Sequence, residues 1–190
     1  HIKVIVRNPL NVKVTSLNLN VVKGDVMDEE QLVKLLYGKK AVISAYNPGW
    51  KNPDIYNDTL KAYSNIIQAC KKAGVKRLLI VGGAGSLYVA PNKTIIDTGG
   101  IPESILPGVK SLAKVYTDYL KPEKDIDWVF FSPAGSLIPG NRTGMFRLGK
   151  DNLIVNSKGE SVISVEDYAL AMMDELEKEE HHQERFTIGY

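Results

Sequence analysis

The sequence predicts a single α/β domain, residues 1–190, built on a Rossmann-like, doubly wound parallel sheet. Short apolar runs alternate with helical patterns along most of the chain, which is typical of a parallel sheet covered by helices. The run RLLIVG (77–82) is apolar after its first residue, as expected for a strand buried on both faces. The rhythm changes at residues 136–165, which we interpret as a small insertion on the substrate side of the domain.

The first elements follow from local patterns. IKVIV (2–6) and LNVV (19–22) predict two strands. Asp28 followed by Gln31 resembles a capping box, and the helix that it begins should end at Gly38.

The middle of the chain continues the alternation of strand and helix. AVISAY (41–46) predicts the third strand. Apolar residues recur at intervals of three and four from Leu60 to Cys70, which predicts a long helix that ends at Gly74. The run at 77–82 then predicts the fourth strand.

The second half of the chain predicts two more helices and further strands. Apolar spacing favours a helix between Val109 and Tyr119, and DWVFF (127–131) predicts the fifth strand. NLIVN (152–156) and RFTIGY (185–190) are also typical of strands. Ser164 should cap the last helix.

The overall charge gives no indication of a nucleic-acid partner. There are 24 basic and 22 acidic residues, a net charge of +2, so we expect a small-molecule substrate. Cys70 is the only cysteine, which fits a reducing compartment, and no apolar run approaches the roughly 20 residues that span a bilayer. We therefore expect a cytoplasmic protein that does not bind membranes, with a homodimer left open as its assembly.

Ligands of open parallel sheets bind beyond the carboxyl ends of the strands, so the residues after each strand are the candidate site. Several of these residues are small or polar, which lets a flat ligand approach the backbone and be oriented there. They are Arg7 and Asn8, Asp25, Tyr46 and Asn47, Gly82 to Ser86, and Pro133 with Ala134.

The stretch VGGAGSL (81–87) is rich in glycine, but it does not fit a pyrophosphate loop. Such a loop runs G-x-G-x-x-G and opens a helix directly. Here Tyr88 stands in place of the third glycine, and VAPNK follows instead of a helical pattern. We interpret the stretch as a floor beneath a ligand; the alternative is a tight turn with glycines at positive φ.

Several fragments together resemble the NADH-flavin reductase family. These are atypical short-chain dehydrogenase relatives, akin to the biliverdin-reductase-B and nitrogen-repressor-like NAD(P)H-binding proteins. The resemblance covers essentially the whole chain and is carried by IVRNP, VVKGD, VGGAGSL with VAPNK, DWVFFSPAG, PGNRTGMFRLG, SVEDYALAMMDELE and RFTIGY.

The chain departs from this family at its start. Family members begin with a strand and a glycine-rich G-x-x-G-x-x-G loop, followed by a helix and a strand entered through a histidine, which His1 resembles. The sequence begins at this histidine, without the first strand and loop. We expect either that the natural chain has a further N-terminal segment or that this variant has lost its main phosphate anchor.

The resemblance implies roles for residues that bind the adenosine half of the cofactor. Arg7 matches the position that faces the adenosine ribose, where an arginine accommodates the 2′-phosphate of NADP. No acidic residue precedes Asp25 to favour NAD instead, although NAD is not excluded. Asp25 matches the residue that hydrogen-bonds the adenine, and Tyr46 and Asn47 would line the ribose and phosphates. Asn8, next to Arg7, is a further predicted cofactor-binding residue.

The resemblance also places the reacting end of the cofactor. Gly82, Gly83, Pro133 and Ala134 would surround the nicotinamide, and Ser86 is the predicted catalytic residue among them.

The expected chemistry is hydride transfer to a flavin or a similar planar acceptor. None of the nine tyrosines has a lysine four positions later, and Tyr116 with Lys114 is out of that register, which disfavours alcohol and ketone chemistry. Flavin reduction requires mainly the stacking of two rings. The alternative is an NADP(H)-binding redox sensor without turnover.

The paired histidines invite a metal interpretation, which the sequence does not favour. Adjacent residues of a helix point in different directions, and no matching cluster of ligands accompanies His181 and His182. We expect no metal site, and we expect the run ELEKEEHHQER (175–185) to be a solvated helix end.

Overall fold

The computed structural model describes all 190 residues and contains four α-helices among short and long strands. The helices are α1 (Glu29–Leu36), α2 (Ile55–Ala73), α3 (Leu106–Lys114), which continues as a π-helix (Val115–Leu120), and α4 (Val165–Lys178). The strands are β1 (Ile2–Val6), β2 (Leu19–Lys23), β3 (Ala41–Ser44), β4 (Arg77–Val81), β5 (Tyr88–Ala90), β6 (Lys93–Thr94), β7 (Asp127–Ser132), β8 (Ser136–Ile138), β9 (Arg147–Gly149), β10 (Val162–Ser164) and β11 (Glu184–Gly189).

The main sheet has five strands in the order β3-β4-β7-β11-β9. All pairs are parallel except β9, which runs antiparallel to β11. The strands β1 and β2 form a separate parallel pair, β8 and β10 form another, and β5 with β6 forms a small hairpin. The carboxyl ends of β3, β4 and β7 therefore lie at one edge, where the loops that follow them meet.

Each face of the main sheet carries its own apolar core, which confirms the doubly wound α/β fold. In β7, Trp128 and Phe130 pack on the face covered by α2 and the π-helix. Val129 and Phe131 alternate with them and pack on the face covered by α4. This alternation is the geometry of a strand buried on both sides.

Local capping signals fix the ends of the helices as the sequence predicts. The Asp28 carboxylate accepts a hydrogen bond from Gln31 N at the start of α1, and Ser164 Oγ accepts one from Asp167 N at the start of α4. Helix α2 ends at Gly74, whose φ of 74° lies in the left-handed region that glycine adopts without strain.

The predicted strand at NLIVN (152–156) is wrong, because this segment covers the sheet without joining it. The fifth strand of the main sheet is β9, immediately before it. Ile154 packs so closely over Gly189 that a Cβ there would lie 2.9 Å from the Ile154 Cβ. Asn156 then accepts backbone hydrogen bonds in a turn, so the apolar residues serve as a cover.

The predicted solvated helix end is also wrong in part. Helix α4 ends at Lys178, and the ring of His181 stacks on Phe186 with 4.1 Å between centroids. His181 is thus packed against the end of the sheet.

No helix of the protein is both long enough and apolar enough to cross a membrane.

Candidate functional site

An open pocket of about 460 Å³ lies where β1 and β2 end. Its lining is entirely polar or glycine and carries two cations and two carboxylates. The residues are Arg7, Lys23, Gly24, Asp25, Asp28 and Gln31. The structure thus brings together two of the predicted cofactor residues, Arg7 and Asp25.

Close packing at Gly24 shapes this pocket. A Cβ at this position would lie 2.6 Å from Ile5 Cγ2 and 2.8 Å from Leu35 Cδ1, so only glycine lets the chain pass here without displacing these side chains. After the turn, Asp25 N donates to Gln31 Oε1, and Met27 N donates to Asp25 Oδ1. The second carboxylate oxygen of Asp25 has no partner within the protein and is free to accept a hydrogen bond from a ligand.

The cations of the pocket have no partners within the protein. Arg7 is exposed, and neither it nor Lys23 forms an ion pair. Two unpaired cations beside an open pocket are available to an anionic group such as a phosphate.

Tyr46, at the end of β3, belongs to the same neighbourhood. Burial raises the pKa of its phenol, the nearby Arg7 guanidinium opposes this, and the Asp58 and Asp25 carboxylates raise it further. Its ring packs edge-on against Tyr63, with centroids 6.3 Å apart. The electrostatic coupling therefore links three predicted residues, Arg7, Asp25 and Tyr46, although they follow three different strands.

Asn8 and Asn47 follow their strands as predicted, but each shapes its own loop. Asn8 Oδ1 accepts a hydrogen bond from Leu10 N, and Asn47 Oδ1 accepts one from Gly49 N at 2.7 Å. Each side-chain carbonyl already accepts one hydrogen bond from its own loop, and each amide NH₂ group has no partner within the protein.

The glycines after β4 are required by close packing. A Cβ on Gly82 would lie 2.7 Å from Phe130 Cε1, and one on Gly85 would lie 2.3 Å from Val109 Cγ1. Neither these two nor Gly83 has a positive φ. The alternative interpretation of VGGAGSL as a turn that needs left-handed glycines is therefore wrong.

Gly83 differs from its neighbours because it is only half-buried and has more room. A Cβ there would meet the Leu112 side chain at 3.2 Å, a contact that a flexible leucine can relieve. Ser86, the predicted catalytic residue, is half-buried, and its Oγ accepts a hydrogen bond from Arg185 Nη1 at 2.9 Å. The Ser86 side chain is thus held in one orientation.

Pro133 and Ala134 follow β7 beside this loop. Both are buried, and Ala134 packs in the core on the α4 face of the sheet. Gly82 N donates to Phe131 O at 2.8 Å, which holds the ends of β4 and β7 together. The two predicted groups around the nicotinamide are therefore adjacent.

Sequence reasoning missed two residues that organise the site. Gln31 supplies the acceptor that fixes Asp25 N, although its place in the capping box pointed only to the helix. Arg185 holds Ser86, and the signal that could have found it is a charged residue inside the apolar run RFTIGY. A buried charge in a strand needs partners, and here those partners belong to the candidate site.

Tyr116 and Lys114 do not form a catalytic pair. Lys114 Nζ makes an ion pair with Asp118 at 2.5 Å on the exposed side of the helix. The Tyr116 ring stacks on Phe130 at 5.1 Å, and burial raises the pKa of its phenol, which the Arg185 guanidinium partly offsets. Lys114 is therefore not the partner of Tyr116, and the lysine beside the Tyr116 ring is Lys121, whose Nζ lies 5.0 Å from the ring centroid.

Solved structures of similar sequence share this fold. The chain is 54% identical to a proposed epimerase of Bacteroides thetaiotaomicron, with a TM-score of 0.93 over 99% of this chain and 84% of that one. It is 35% identical to a proposed NADH-flavin reductase of Streptococcus pneumoniae, with a TM-score of 0.83 over 98% of this chain and 86% of that one. These likenesses confirm the Rossmann-like fold and the sequence resemblance.

Sequence comparisons define the family. YwnB of Bacillus subtilis, an uncharacterised protein, is 42% identical over 151 residues, which are 78% of this chain and 69% of YwnB. Residues 1–179 match the family described as NAD(P)H-binding. With its polar pocket beyond β1 and β2 and its oxidoreductase-like fold, the chain belongs to the NAD(P)H-binding family.

Proposed function

We propose that this protein uses NADPH to transfer hydride to a flavin or a similar planar acceptor. The observation that carries the proposal is the pocket beyond β1 and β2, in which Arg7 and Lys23 have no protein partners and Asp25 has a free oxygen. This donor set fits the adenosine end of a nicotinamide nucleotide.

The two cations favour NADPH over NADH. An arginine at the end of the strand that faces the ribose accommodates the 2′-phosphate of NADP, whereas an acid there favours the free 2′-hydroxyl of NAD. Arg7 stands at this place, and Lys23 adds a second positive charge across the pocket. Asp25 is 18 residues further along the chain and lies beside Arg7, where its free oxygen accepts from the adenine amino group.

The loop after β4 suits a planar acceptor. Gly83 and Ala84, which follow the buried Gly82, are half-buried and present no side chain larger than a methyl group, so two flat rings can stack over them. The bound nicotinamide supplies the hydride. The role of the protein is to hold the two rings in register and to exclude water from between them. No tyrosine of the chain has a lysine four positions later, the spacing that short-chain dehydrogenases use to protonate an alkoxide, and reduction of a flavin does not require such a pair.

The likeness to the Streptococcus pneumoniae protein supports the choice of acceptor. That protein is described as a proposed NADH-flavin reductase, and the likeness extends over nearly the whole of this chain. Its description specifies NADH, so the preference for NADPH here rests on Arg7 and Lys23.

The test measures cofactor binding and turnover separately. Calorimetric titration with NADPH and NADH should show tighter binding of NADPH, and NADPH oxidation should follow on addition of FMN, FAD or riboflavin. Binding without oxidation of NADPH by any of the three flavins would overturn the enzymatic proposal and favour a redox sensor. Equal affinities for the two cofactors would overturn the role assigned to Arg7.

A further inference from the structure

Arg185 is a buried charge in β11, a strand of the main sheet. It is 4% exposed and lies in β11 between Glu184 and Phe186. Burying a guanidinium is unfavourable unless hydrogen bonds and counter-charges compensate it, so its contacts identify what the residue does.

The guanidinium contacts three segments that are distant in sequence. Nη1 donates to Ser86 Oγ at 2.9 Å and to Ser86 O at 3.0 Å. Nε and Nη2 both donate to Asp151 Oδ1, at 2.9 and 2.5 Å. The guanidinium carbon lies 4.4 Å from the centroid of the Tyr116 ring, a cation–π distance.

Arg185 lies toward the edge of the sheet where ligands bind. It pairs in register with Phe130 of β7, and Phe130 pairs with Ile80 of β4. Ile80 is two residues before Gly82, where the loop of small residues begins. Arg185 is thus level with the end of β4, just before the loop that we propose as the nicotinamide floor.

The same contacts frame an open pocket beside that floor. Asp151 O accepts a hydrogen bond from Tyr88 N, and Leu153 N donates to Tyr88 O, so the segment after β9 is joined to the β5–β6 hairpin. These two segments border an open pocket of about 510 Å³, lined by Tyr88, Val89, Ala90, Pro91, Asn92, Asn152 and Leu153. Arg185 therefore fixes one end of the floor through Ser86 and one wall of the pocket through Asp151.

We infer that Arg185 is a positioning residue for the acceptor: it holds Ser86 and Asp151 in register so that the planar acceptor meets the nicotinamide at the correct distance. This inference rests on the proposed function, because it places the acceptor over the loop after β4. Arg185 itself does not touch the reacting atoms. Its planar fork serves both partners at once, which a lysine ammonium cannot do.

The experiment compares Arg185→Lys and Asp151→Asn with the parent protein. Because a displacement of about 1 Å at a reacting centre costs on the order of 100-fold, we expect kcat/KM for FMN to fall by roughly tenfold or more in both variants. The Kd for NADPH should change by less than about twofold, since the adenosine pocket lies beyond β1 and β2, on different strands. Asp151 is 52% exposed, so Asp151→Asn remains informative if the arginine variant unfolds.

Arg77→Met provides a matched control. Arg77 is also 4% exposed and also pairs with carboxylates, but it lies three register positions further than Arg185 from the carboxyl ends of β4 and β7. If Arg185 were merely a structural ion pair, the two arginines should behave alike, each losing stability while the folded protein keeps its kcat/KM. If Arg185 is a positioning residue, only Arg185→Lys and Asp151→Asn should change kcat/KM for FMN.

Amide hydrogen exchange provides a readout that does not depend on activity. Exchange at residues 84–89 should become faster in Arg185→Lys and Asp151→Asn and stay unchanged in Arg77→Met. Unchanged exchange in the first two variants overturns the positioning role, whatever the activity. Faster exchange in a protein that reduces no flavin overturns the proposed function and leaves Arg185 as the residue that orders the loop.

Discussion

The two buried arginines of this protein lie on opposite faces of one sheet, and Arg185 is three register positions closer than Arg77 to the carboxyl ends of β4 and β7. Arg77 begins β4, and its guanidinium forms ion pairs with Asp127 and with Glu175 of α4. Arg185 lies near the carboxyl edge and binds a serine, a half-exposed aspartate and an aromatic ring. The first joins elements of the scaffold to one another, and the second joins the scaffold to loops.

The cluster around Arg77 is made of groups that pair with one another, although Arg77 Nε and Asp127 Oδ1 are buried without a partner. Its Nη2 also donates to His181 O, and His181 Nδ1 lies 2.7 Å from Glu175 Oε2. Beyond the carboxyl ends of the strands, by contrast, Arg7 and Lys23 have no protein partners. Buried charges with internal partners thus stabilise this fold, whereas the two unpaired cations that line the pocket beyond β1 and β2 remain available to an anionic ligand.

The largest effect should come from breaking the cluster around Arg77. Arg77→Met leaves the buried Glu175 carboxylate without its main counter-charge, so we expect a loss of about 3–5 kcal/mol in the free energy of unfolding. The measurement is urea unfolding at neutral pH. The NADPH affinity of the folded variant should equal that of the parent. A large loss of NADPH affinity at unchanged stability would contradict the purely structural role of Arg77.

A substitution in the floor should affect chemistry instead of stability. Leu112 can make room for a single Cβ at 3.2 Å, but Gly83→Val adds two further methyl groups there, so the loop should move into the space of the rings. We expect a loss on the order of 100-fold in flavin reduction, as for a displacement of about 1 Å. Steady-state kinetics with FMN measures it, and binding of 2′,5′-ADP should persist.

Two other substitutions in the same loop make the test sharper. Gly83→Ala, with a single methyl group, should lose much less activity than Gly83→Val. Gly85→Val should unfold the loop, because its Cβ would lie 2.3 Å from Val109 Cγ1. Unchanged flavin reduction in a folded Gly83→Val protein would show that VGGAGSL is not part of the site.

What could be predicted from the sequence is what depends on local patterns. The helix caps at Asp28 and Ser164 involve partners three residues away, and both are confirmed. Arg185 and Ser86 are 99 residues apart, and His181 meets Arg77 across 104 residues, so no local pattern reveals either contact. The sequence predicts which loops form the candidate site. The buried contacts that order those loops, such as Arg185 with Ser86, are visible only in the folded structure.

The NLIVN segment shows the same limit. Its composition is that of a strand, but Leu153 donates to Tyr88 O and Ile154 covers Gly189. Apolar character therefore indicates burial, and the available partners decide whether the segment forms a strand.

Helix α4 offers a third test, because it carries a buried carboxylate near each end. Burial of Asp167 favours the neutral acid, but hydrogen bonds from Thr143 Oγ1, Gly144 N and Tyr190 OH outweigh it and lower the pKa of the carboxyl to about 2. A depressed folded-state pKa stabilises the protein above the unfolded value, near 3.8, and this contribution is lost as pH falls toward 2.

Asp167→Asn should therefore cost on the order of 2 kcal/mol at neutral pH, as expected for hydrogen bonds to a charged group. The stability of the variant should also fall less steeply than that of the parent between about pH 4 and pH 2. Urea unfolding across this range measures both effects. Asp174→Asn, an exposed carboxylate of the same helix paired with Lys178, should cost less than about 1 kcal/mol, and parallel pH profiles of Asp167→Asn and the parent would refute the assignment.

The smallest expected effect comes from substituting Arg7, one of the two unpaired cations in the pocket beyond β1 and β2. Arg7→Glu places a carboxylate where the 2′-phosphate of NADPH is proposed to lie, so affinity for NADPH should fall by about tenfold or more while affinity for NADH is retained or improved. Because Arg7 forms no ion pair, stability should change by less than about 0.5 kcal/mol. Lys13→Glu makes the same change of charge in the neighbouring loop, where Lys13 bonds only to Leu10 O outside the pocket. Calorimetric titration of both cofactors against both variants separates a local contact from a general loss of positive charge. A loss of affinity that is confined to NADPH and to Arg7→Glu supports the 2′-phosphate site. Equal losses of NADPH affinity in the two variants would assign the effect to net charge.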